Sequence, residues 1–208
     1  MIKFVYFDIG GVVVKDFSGN DKWGNFKKLI GVEQEFDKEF DKLYDKYEDE
    51  DLNLTREVDS LIPILSEKFK IQFPPDFSLL TYYVDYFQPS TSLWPVITEI
   101  KRTSKVGLLT NMYVGMLDLI RDRNLLPSID WDVVIDSSKV DLQKPDPKIY
   151  LLAQKLSGVE NGEILFVDNS KKNIDAAKNL GWTIFYFGSS DYEKSSSNLL
   201  EFYRNLPL

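Results

Sequence analysis

Short apolar runs alternate with amphipathic stretches along most of the chain, and this alternation restricts the fold more than any other feature of the sequence. Short, nearly continuous apolar runs are typical of strands that are buried on both faces. Strands that alternate with helices indicate right-handed crossovers and a parallel sheet. We therefore expect an α/β protein with a Rossmann-like parallel sheet core. The predicted strands are 2–7, 105–109, 131–135, 163–167 and 183–187, and the predicted helices of this part are 96–102, 114–123, 146–156, 173–180 and a last one near 199–203.

The segment 16–90 interrupts the alternation and has no strong strand pattern. Its aromatic and aliphatic residues recur at spacings of three and four, which is typical of amphipathic helices. We expect helices over 23–30, 33–48, 55–69 and 77–87, with Thr55 as the N-cap of the third. The chain would then consist of a Rossmann-like core, 1–15 and 91–208, and an inserted helical cap, 16–90. Because the insert leaves the core just after the first strand, it can close over one edge of the sheet.

Polar residues follow several of the predicted strands directly. They are Asp8, Thr110 with Asn111, and Asp168 with Asn169. Sheets of this type bind ligands outside the carboxyl ends of their strands. We therefore expect Asp8, Thr110 and Asp168 to converge in one cleft, although a capping role would explain each of them separately. Asp136 and Asp141, which follow another strand, are interpreted as solvated loop acids.

Composition removes several kinds of chemistry. The chain has no cysteine and no histidine, which excludes disulfides, cysteine nucleophiles, Ser-His-Asp hydrolysis and zinc sites built on thiolate or imidazole. Its 25 basic and 33 acidic residues give a net charge of -8, which argues against a nucleic-acid-binding surface. We find neither a membrane span of about 20 apolar residues nor a signal peptide. The expectation is a cytoplasmic protein, monomeric or homodimeric, without nucleic-acid or membrane partners.

The remaining polar groups suit phosphoryl transfer. Asp8 and Asp168 carry hard oxygen ligands of the kind that Mg²⁺ prefers. Asp8 is also a candidate nucleophile that would form an aspartyl-phosphate. The Thr110 hydroxyl, the Asn111 backbone amide and the Lys144 ammonium are candidates for holding the phosphoryl oxygens. The sequence therefore predicts a site at which positioning and electrostatics promote phosphoryl transfer.

Four motifs of this chain resemble those of the haloacid dehalogenase-like hydrolases, in particular the helical-cap phosphatases. They are Phe7-Asp8-Ile-Gly-Gly11-Val, Leu108-Leu-Thr110-Asn111, Lys144-Pro-Asp-Pro-Lys-Ile-Tyr150 and Phe166-Val-Asp168-Asn169. The resemblance implies that Asp8 is the nucleophile and that Lys144 orients both nucleophile and phosphate. It also implies a Mg²⁺ site formed by Asp8, the Gly10 carbonyl, Asp168 and Asn169. The implied activity is a Mg²⁺-dependent phosphatase acting on a small phosphorylated metabolite, such as a sugar phosphate.

Two positions depart from the usual phosphatase pattern. That pattern has a second aspartate two residues after the nucleophile, where it acts as general acid and base, and Gly10 stands in its place. A glycine can lend its carbonyl to a metal ion, but it cannot transfer a proton. Asn169 replaces a second acid and implies weaker Mg²⁺ binding. Lys15 and Asp16 are close enough in sequence to reach the cleft, and either is a candidate replacement for the missing acid.

Two further functions remain open at this point. The glycine at position 10 is also compatible with a catalytically impaired member of the same fold that binds or regulates. A metal-free haloacid dehalogenase would use the same nucleophile on carbon. However, Asp168 would be an unhelpful charge in such a site, and no arginine closely follows Asp8. Substrate selection would depend on the insert, whose candidate residues are Trp23, Tyr44, Tyr47 and Tyr83.

Overall fold

The computed structural model describes residues 1–19 and 21–207, in which strands and helices alternate on either side of a helical segment. The strands are β1 (Phe4–Phe7), β2 (Val14–Lys15), β3 (Gln88–Pro89), β4 (Lys105–Thr110), β5 (Val133–Asp136), β6 (Ile164–Asp168) and β7 (Thr183–Tyr186). The helices are α1 (Lys22–Leu29), α2 (Asp37–Tyr47), α3 (Ile62–Phe69), α4 (Leu79–Asp85), α5 (Trp94–Ile100), α6 (Met116–Asp122), α7 (Ser137–Val140), α8 (Pro147–Ser157), α9 (Lys171–Asn179) and α10 (Tyr192–Arg204). In this part of the chain no helix is both long and apolar enough to cross a bilayer.

Five strands form a parallel sheet in the order β5-β4-β1-β6-β7, which confirms the predicted Rossmann-like fold. The central strand β1 pairs with β4 on one side and with β6 on the other, so that Phe7 lies opposite both Leu108 and Val167. After β1, the chain builds the sheet outward through β4 and β5, then returns to add β6 and β7 on the opposite side. Such a reversal opens a crevice at the carboxyl ends of the central strands.

The core lies on both faces of this sheet. Successive residues of a strand point to opposite faces, and β1 divides its four fully buried side chains accordingly. Val5 and Phe7 belong to one hydrophobic cluster, whereas Phe4 and Tyr6 belong to the other. Asp8 therefore follows a strand that is shielded from water on both sides.

Residues 16–87 form a helical insert between β2 and β3. These two short strands pair antiparallel, Val14 with Pro89 and Lys15 with Gln88, and so join the two ends of the insert. The sequence did not predict them, because a strand of two residues is too short for a periodic pattern. The predicted helices over 23–30, 33–48 and 77–87 are confirmed by α1, α2 and α4. The boundaries of the insert as a separate domain remain a prediction.

Aromatic rings form much of the packing inside the insert. Trp23 and Phe26 of α1 stack on each other with ring centroids 5.1 Å apart. Tyr44 of α2 meets Trp23 edge-on at 5.0 Å, and Tyr83 of α4 meets Phe26 edge-on at 5.1 Å. Edge-on and offset contacts of this kind stabilise aromatic clusters beyond the area that they bury. The prediction that these regularly spaced aromatic residues form the core of the insert is therefore confirmed.

Two helix starts differ from the prediction. Thr55 lies in a turn and does not cap a helix; α3 begins at Ile62, directly after a 3₁₀ turn over Val58–Leu61. The last helix is also longer than expected, since α10 begins at Tyr192. Its start is set by Asp191, whose carboxylate accepts a hydrogen bond of 3.0 Å from the Lys194 backbone amide. The serine-rich stretch of this helix has weak helix propensity, which hid its first two turns from the periodic pattern.

Asp136 is not the solvated acid that the sequence predicted. It ends β5 with only 3% of its surface exposed. Its Oδ1 accepts hydrogen bonds from the backbone amide and the hydroxyl of Ser138, at 3.0 and 2.7 Å. Asp136 therefore caps α7, which is the local role that aspartate often has at a helix start. Asp141 is exposed, as expected.

Candidate active site

Three strand ends bring polar side chains together at the carboxyl edge of the sheet, as predicted. Asp8 directly follows β1, Thr110 ends β4 and Asp168 ends β6. Lys144 reaches the same place from the loop between α7 and α8. All four side chains are shielded from water, and the exposed fraction is 8% for Asp8, 3% for Lys144 and zero for Thr110 and Asp168. So many polar groups can be buried together only if they form hydrogen bonds or ion pairs with one another.

The Lys144 ammonium lies between the two carboxylates. Its Nζ is 3.0 Å from Asp8 Oδ1 and 2.7 Å from Asp168 Oδ2. The backbone amide of Ile9 also donates a hydrogen bond of 2.7 Å to Asp8 Oδ1. Two donors thus hold one oxygen of the Asp8 carboxylate and fix the direction in which the group points.

Asp168 is held by further donors from the start of α9. The Ser170 backbone amide lies 2.7 Å from Asp168 Oδ1. The Asn173 side chain contacts both oxygens, with Nδ2 at 3.3 Å from Oδ1 and 3.1 Å from Oδ2. Asn173 thus supports the carboxylate from one turn further along the chain.

The site carries more negative than positive charge, since one lysine faces two carboxylates. Burial raises the pKa of Asp8 from its usual 3.8 to about 7; the Lys144 ammonium acts in the opposite direction, and Asp168 adds to the increase. Burial alone would lower the pKa of Lys144, but the charges of Asp168 and Asp8 raise it. A carboxylate that is buried at a surplus of negative charge is stabilised by an additional cation.

Asn111 contributes in a way that the sequence did not indicate. Its side chain donates from Nδ2 to the Lys144 carbonyl oxygen at 2.9 Å and accepts at Oδ1 from the Lys144 backbone amide at 2.8 Å. The two bonds fix the loop that carries the lysine to the end of β4. The Thr110 hydroxyl lowers the pKa of the Asp8 carboxyl, against the effect of burial.

Gly11 and Asn169 lie against each other next to the nucleophile motif. Gly11 has a φ of +73°, and a Cβ atom at this position would lie 1.9 Å from Asn169 Nδ2. The Asn169 amide donates to the Ser189 hydroxyl at 3.1 Å, and that hydroxyl donates to the Gly11 carbonyl at 2.8 Å. The close approach and the left-handed backbone both require glycine here. Metal ligation by Asn169 remains a prediction.

Gly10 makes room for Asp16. A Cβ atom at position 10 would lie 2.6 Å from Asp16 Oδ2. The other oxygen of Asp16 accepts a hydrogen bond of 2.8 Å from the Ser18 backbone amide, and burial raises the pKa of Asp16. Lys15 points elsewhere, with its Nζ 5.2 Å from the centre of the Tyr192 ring. Of the two predicted replacements for the missing acid, only Asp16 thus contacts position 10.

A cavity of about 500 Å³ lies between the strand ends and the helical insert. From the core its lining includes Gly10, Asn111 and Met112, and from the insert it includes Asp16, Trp23, Tyr44 and Tyr83. Tyr47, the fourth predicted aromatic residue, is not among the lining residues and instead stacks under the Arg56 guanidinium at 5.0 Å. Three of the four candidate residues of the insert thus line the cavity and Tyr47 does not, and their role in substrate selection remains a prediction.

The cavity is acidic as well as aromatic. Its lining carboxylates are Asp16, Asp41, Asp45 and Glu48, and the described residues around it include no lysine or arginine. Glu48 accepts a hydrogen bond from the Tyr113 hydroxyl, and burial raises the pKa of Glu48. Asp41 is paired with Lys27, whose Nζ lies 2.8 Å away. A cavity of this kind disfavours a second negative charge on its occupant.

The fold and this site define an α/β protein with a lysine-bridged carboxylate pair at the carboxyl edge of a parallel sheet. The sequence model of the haloacid dehalogenase-like hydrolases matches residues 2–181, and the chain belongs to this family. A curated relative is the (S)-2-haloacid dehalogenase of Xanthobacter autotrophicus, 29% identical over 119 residues, or 57% of this chain and 43% of that enzyme. The chain spans less than half the length of the curated relatives it matches.

Solved structures of the same family share the fold. A predicted hydrolase from Porphyromonas gingivalis superposes with a TM-score of 0.74 at 23% identity, over 96% of this chain and 98% of the other. An enzyme from Bacteroides thetaiotaomicron, solved with magnesium and inorganic phosphate, superposes with a TM-score of 0.70 at 17% identity, over 92% of this chain and 96% of the other. At these identities the likeness concerns the fold.

Proposed function

We propose that this protein is a Mg²⁺-dependent phosphatase that transfers the phosphoryl group of a small phosphorylated metabolite to Asp8 and then to water. The observation that carries the proposal is the position of the Asp8 carboxylate. It lies at the end of the central strand, 3.0 Å from the Lys144 ammonium, which also holds Asp168. A fixed carboxylate beside a second acid and a cation is the arrangement that an aspartyl-phosphate mechanism needs.

The residues present fit a magnesium ion. Mg²⁺ usually takes one or two protein carboxylates and completes its shell with waters and substrate phosphate oxygens. Asp8 and Asp168 supply two carboxylates that share one lysine. Within 1–19 and 21–207 no group of three or more acidic side chains is arranged so that it could hold a metal ion. The Gly10 carbonyl and Asn169 complete the set that would hold the ion. When bound, the ion would offset charge on the phosphoryl oxygens. The related enzyme solved with magnesium and phosphate supports this choice.

The protein groups have separate tasks in the transfer. An oxygen of Asp8 attacks phosphorus while the bond to the leaving-group oxygen breaks. Lys144 orients the Asp8 carboxylate through Oδ1 and presents its charge to the phosphoryl oxygens. The Thr110 hydroxyl and the Asn111 backbone amide bind the remaining oxygens. Because the Asn111 side chain also fixes the Lys144 backbone, the anion-binding groups keep their geometry as charge moves.

The cavity restricts the class of substrate. The leaving group would occupy the acidic, aromatic space below the insert, where the described lining residues offer no positive charge. A neutral polyol, such as a sugar, or an amine fits this environment. A substrate with a second phosphate or a carboxylate would be repelled by Asp45 and Glu48. We therefore assign the site to monophosphates of neutral or cationic alcohols.

Dehalogenation of a haloacid is the second candidate, because a curated relative is a haloacid dehalogenase. In that reaction Asp8 would attack carbon, and the substrate carboxylate would need a cationic partner. Lys144 is already shared between Asp8 and Asp168, and the described cavity lining adds no further cation. These charges favour the phosphatase.

A chemical trap tests the covalent step. The parent protein, Mg²⁺ and p-nitrophenyl phosphate are mixed, quenched in acid through a single turnover and reduced with borohydride, which converts an aspartyl-phosphate to homoserine. Peptide mass spectrometry should find homoserine at position 8 in the parent and not in Asp8→Asn. Turnover that proceeds with the trapped group at a different residue would overturn the assignment of Asp8. Halide release from 2-chloropropionate without Mg²⁺ would favour the second candidate.

A further inference from the structure

We propose that Asp16 supplies the general acid and base that position 10 lacks. The inference rests on the proposed phosphatase function and adds to it the residue that moves protons in the active site. A proton from Asp16 would explain how a site with glycine two residues after the nucleophile can expel a poor leaving group.

The first observation is a distance. A Cβ atom built on Gly10 would lie 2.6 Å from Asp16 Oδ2. In an aspartate, standard bond lengths and angles separate Cβ from its own carboxylate oxygens by about 2.4 Å. Asp16 thus brings a carboxylate oxygen to position 10 from six residues further along the chain, nearly as close as an aspartate side chain at position 10 would.

The second observation is how the carboxylate is held. Asp16 Oδ1 accepts a hydrogen bond of 2.8 Å from the Ser18 backbone amide, which fixes the group and turns Oδ2 toward Gly10. Asp16 and Gly10 both line the cavity that receives the leaving group, together with Asn111. The carboxylate therefore lies between the nucleophile motif and the space in which a proton is needed.

The third observation concerns the glycine itself. The φ of Gly10 lies outside the left-handed range, so the left-handed conformation that favours glycine does not explain the residue at this position. What excludes a side chain at this position is the Asp16 carboxylate. Glycine at position 10 and aspartate at position 16 are thus spatially complementary, since a larger residue at the first would displace the second.

The proton balance follows from this placement. As the bond from phosphorus to the leaving oxygen breaks, protonated Asp16 gives its proton to that oxygen, and Asp8 becomes an aspartyl-phosphate. The Asp16 carboxylate then takes a proton from the water that attacks phosphorus. The bond to Asp8 breaks, inorganic phosphate leaves, and both side chains return to their starting states. The net reaction consumes one water and releases an alcohol and phosphate.

Leaving-group dependence of the first step tests the role, because an alkoxide needs a proton and p-nitrophenolate does not, whereas hydrolysis of the aspartyl-phosphate is common to all substrates. We expect Asp16→Asn to slow the single-turnover release of the alcohol from glucose 1-phosphate and choline phosphate by about a hundredfold or more, the usual effect of losing a general acid. Single-turnover release of p-nitrophenolate from p-nitrophenyl phosphate should slow less than about tenfold. Gly10→Ala should reproduce this selective loss by displacing the carboxylate, whereas Lys15→Ala should affect neither class.

A positional swap completes the test. The double variant Gly10→Asp with Asp16→Ala should recover most of the alkyl phosphate activity that Asp16→Asn loses. Equal losses on both substrate classes in single-turnover release of the leaving group, or a swap as slow as Asp16→Asn, would overturn the inference while leaving the phosphatase function intact. Loss of activity toward both substrate classes in the single variant Asp8→Asn supports the phosphatase function. If the parent protein shows no phosphate release that requires both Asp8 and Mg²⁺, the proposed function and this inference are both overturned.

Discussion

The side chain of Asn111 and the backbone of Lys144 hold each other through two reciprocal hydrogen bonds of 2.9 and 2.8 Å, although 33 residues separate them in the sequence. Asn111 follows the end of β4, and Lys144 lies in the loop before α8. The pair therefore connects the end of β4 to the loop that places Lys144 between the Asp8 and Asp168 carboxylates. The position of Lys144 depends on this connection.

Replacing Asn111 with alanine removes both bonds. Since one net hydrogen bond stabilises a protein by roughly 1 kcal/mol, we expect the free energy of unfolding to fall by about 1–3 kcal/mol. Phosphatase activity should fall further than this loss of stability explains, because Lys144 loses its fixed position. Urea unfolding and initial rates at saturating Mg²⁺ measure the two effects. The control is Asn25→Ala on the exposed face of α1, and equal behaviour of the two variants would contradict the role of Asn111.

Lys144→Met should destabilise the protein strongly, because it leaves two buried carboxylates without their cation. Removal of one partner from a buried ion pair costs about 3–5 kcal/mol. Lys139 is the matched control, since its ammonium pairs with Asp118 at 3.0 Å on the surface, where a pair contributes about 1 kcal/mol or less. Chemical unfolding of Lys144→Met and Lys139→Met in EDTA compares them directly. Similar losses in both would show that the buried charges do not depend on Lys144.

The metal-free protein should become less stable as the pH rises. Because the pKa of Asp8 is raised from 3.8 to about 7 by burial, the folded protein holds a proton over this interval that the unfolded chain releases. The stability from Asp8 is therefore present below pH 3.8 and lost as the pH rises through about 7. Urea midpoints in EDTA should fall across this range, and Asp8→Asn should flatten the slope. A slope unchanged by Asp8→Asn would contradict this assignment.

Magnesium should reverse the trend. Metal binding requires deprotonated carboxylates, so the stabilisation by Mg²⁺ should grow as the pH rises through the same interval. Asp16 and Glu48 also have raised pKa values, and their contribution should persist in Asp8→Asn. The difference in the pH dependence of stability between the parent and Asp8→Asn therefore gives the contribution of Asp8.

Topology explains which parts of the site the sequence could predict. Asp8, Thr110 and Asp168 each end a strand, and parallel strands place their carboxyl ends at one edge whatever the details of packing. The contact between Asn111 and Lys144 depends on the path of two loops, which no periodic pattern specifies. The same limit applies to Asp16. Its nearness to Asp8 in the sequence made it a candidate beside Lys15, but only the backbone turn at Gly10 and Gly11 decides which side chain faces the cavity.

Helix ends and caps were less predictable than strands. Thr55 has a residue type that suits an N-cap, yet the chain continues through a turn and a 3₁₀ segment before α3 begins. Asp136 was expected in solvent because aspartate usually lies there, but it is buried at the end of β5 and caps α7, which begins at the next residue. In both cases the local residue type permits two conformations, and tertiary packing selects one.

Gly11→Ala should disable the site. The substituted Cβ would meet the Asn169 amide at 1.9 Å, and the backbone has a φ of +73° that alanine adopts at a cost of about 1–2 kcal/mol. We expect lower stability and loss of phosphatase activity. Gly24→Ala is the matched control, since it lies in α1 with no atom within 4 Å of its Cβ position, and alanine there should be neutral or stabilising by about 1 kcal/mol. Retained activity in Gly11→Ala would show that the Asn169 contact is dispensable.

The most direct test of the proposed function is phosphate release from p-nitrophenyl phosphate and glucose 1-phosphate by the parent and by Asp8→Asn, each with Mg²⁺ and with EDTA. Halide release from 2-chloropropionate is measured in parallel. We predict phosphate release that requires both Mg²⁺ and Asp8, without halide release. Phosphate release by Asp8→Asn at the parent rate, or halide release by the parent in EDTA without any phosphatase activity, would contradict the proposed function.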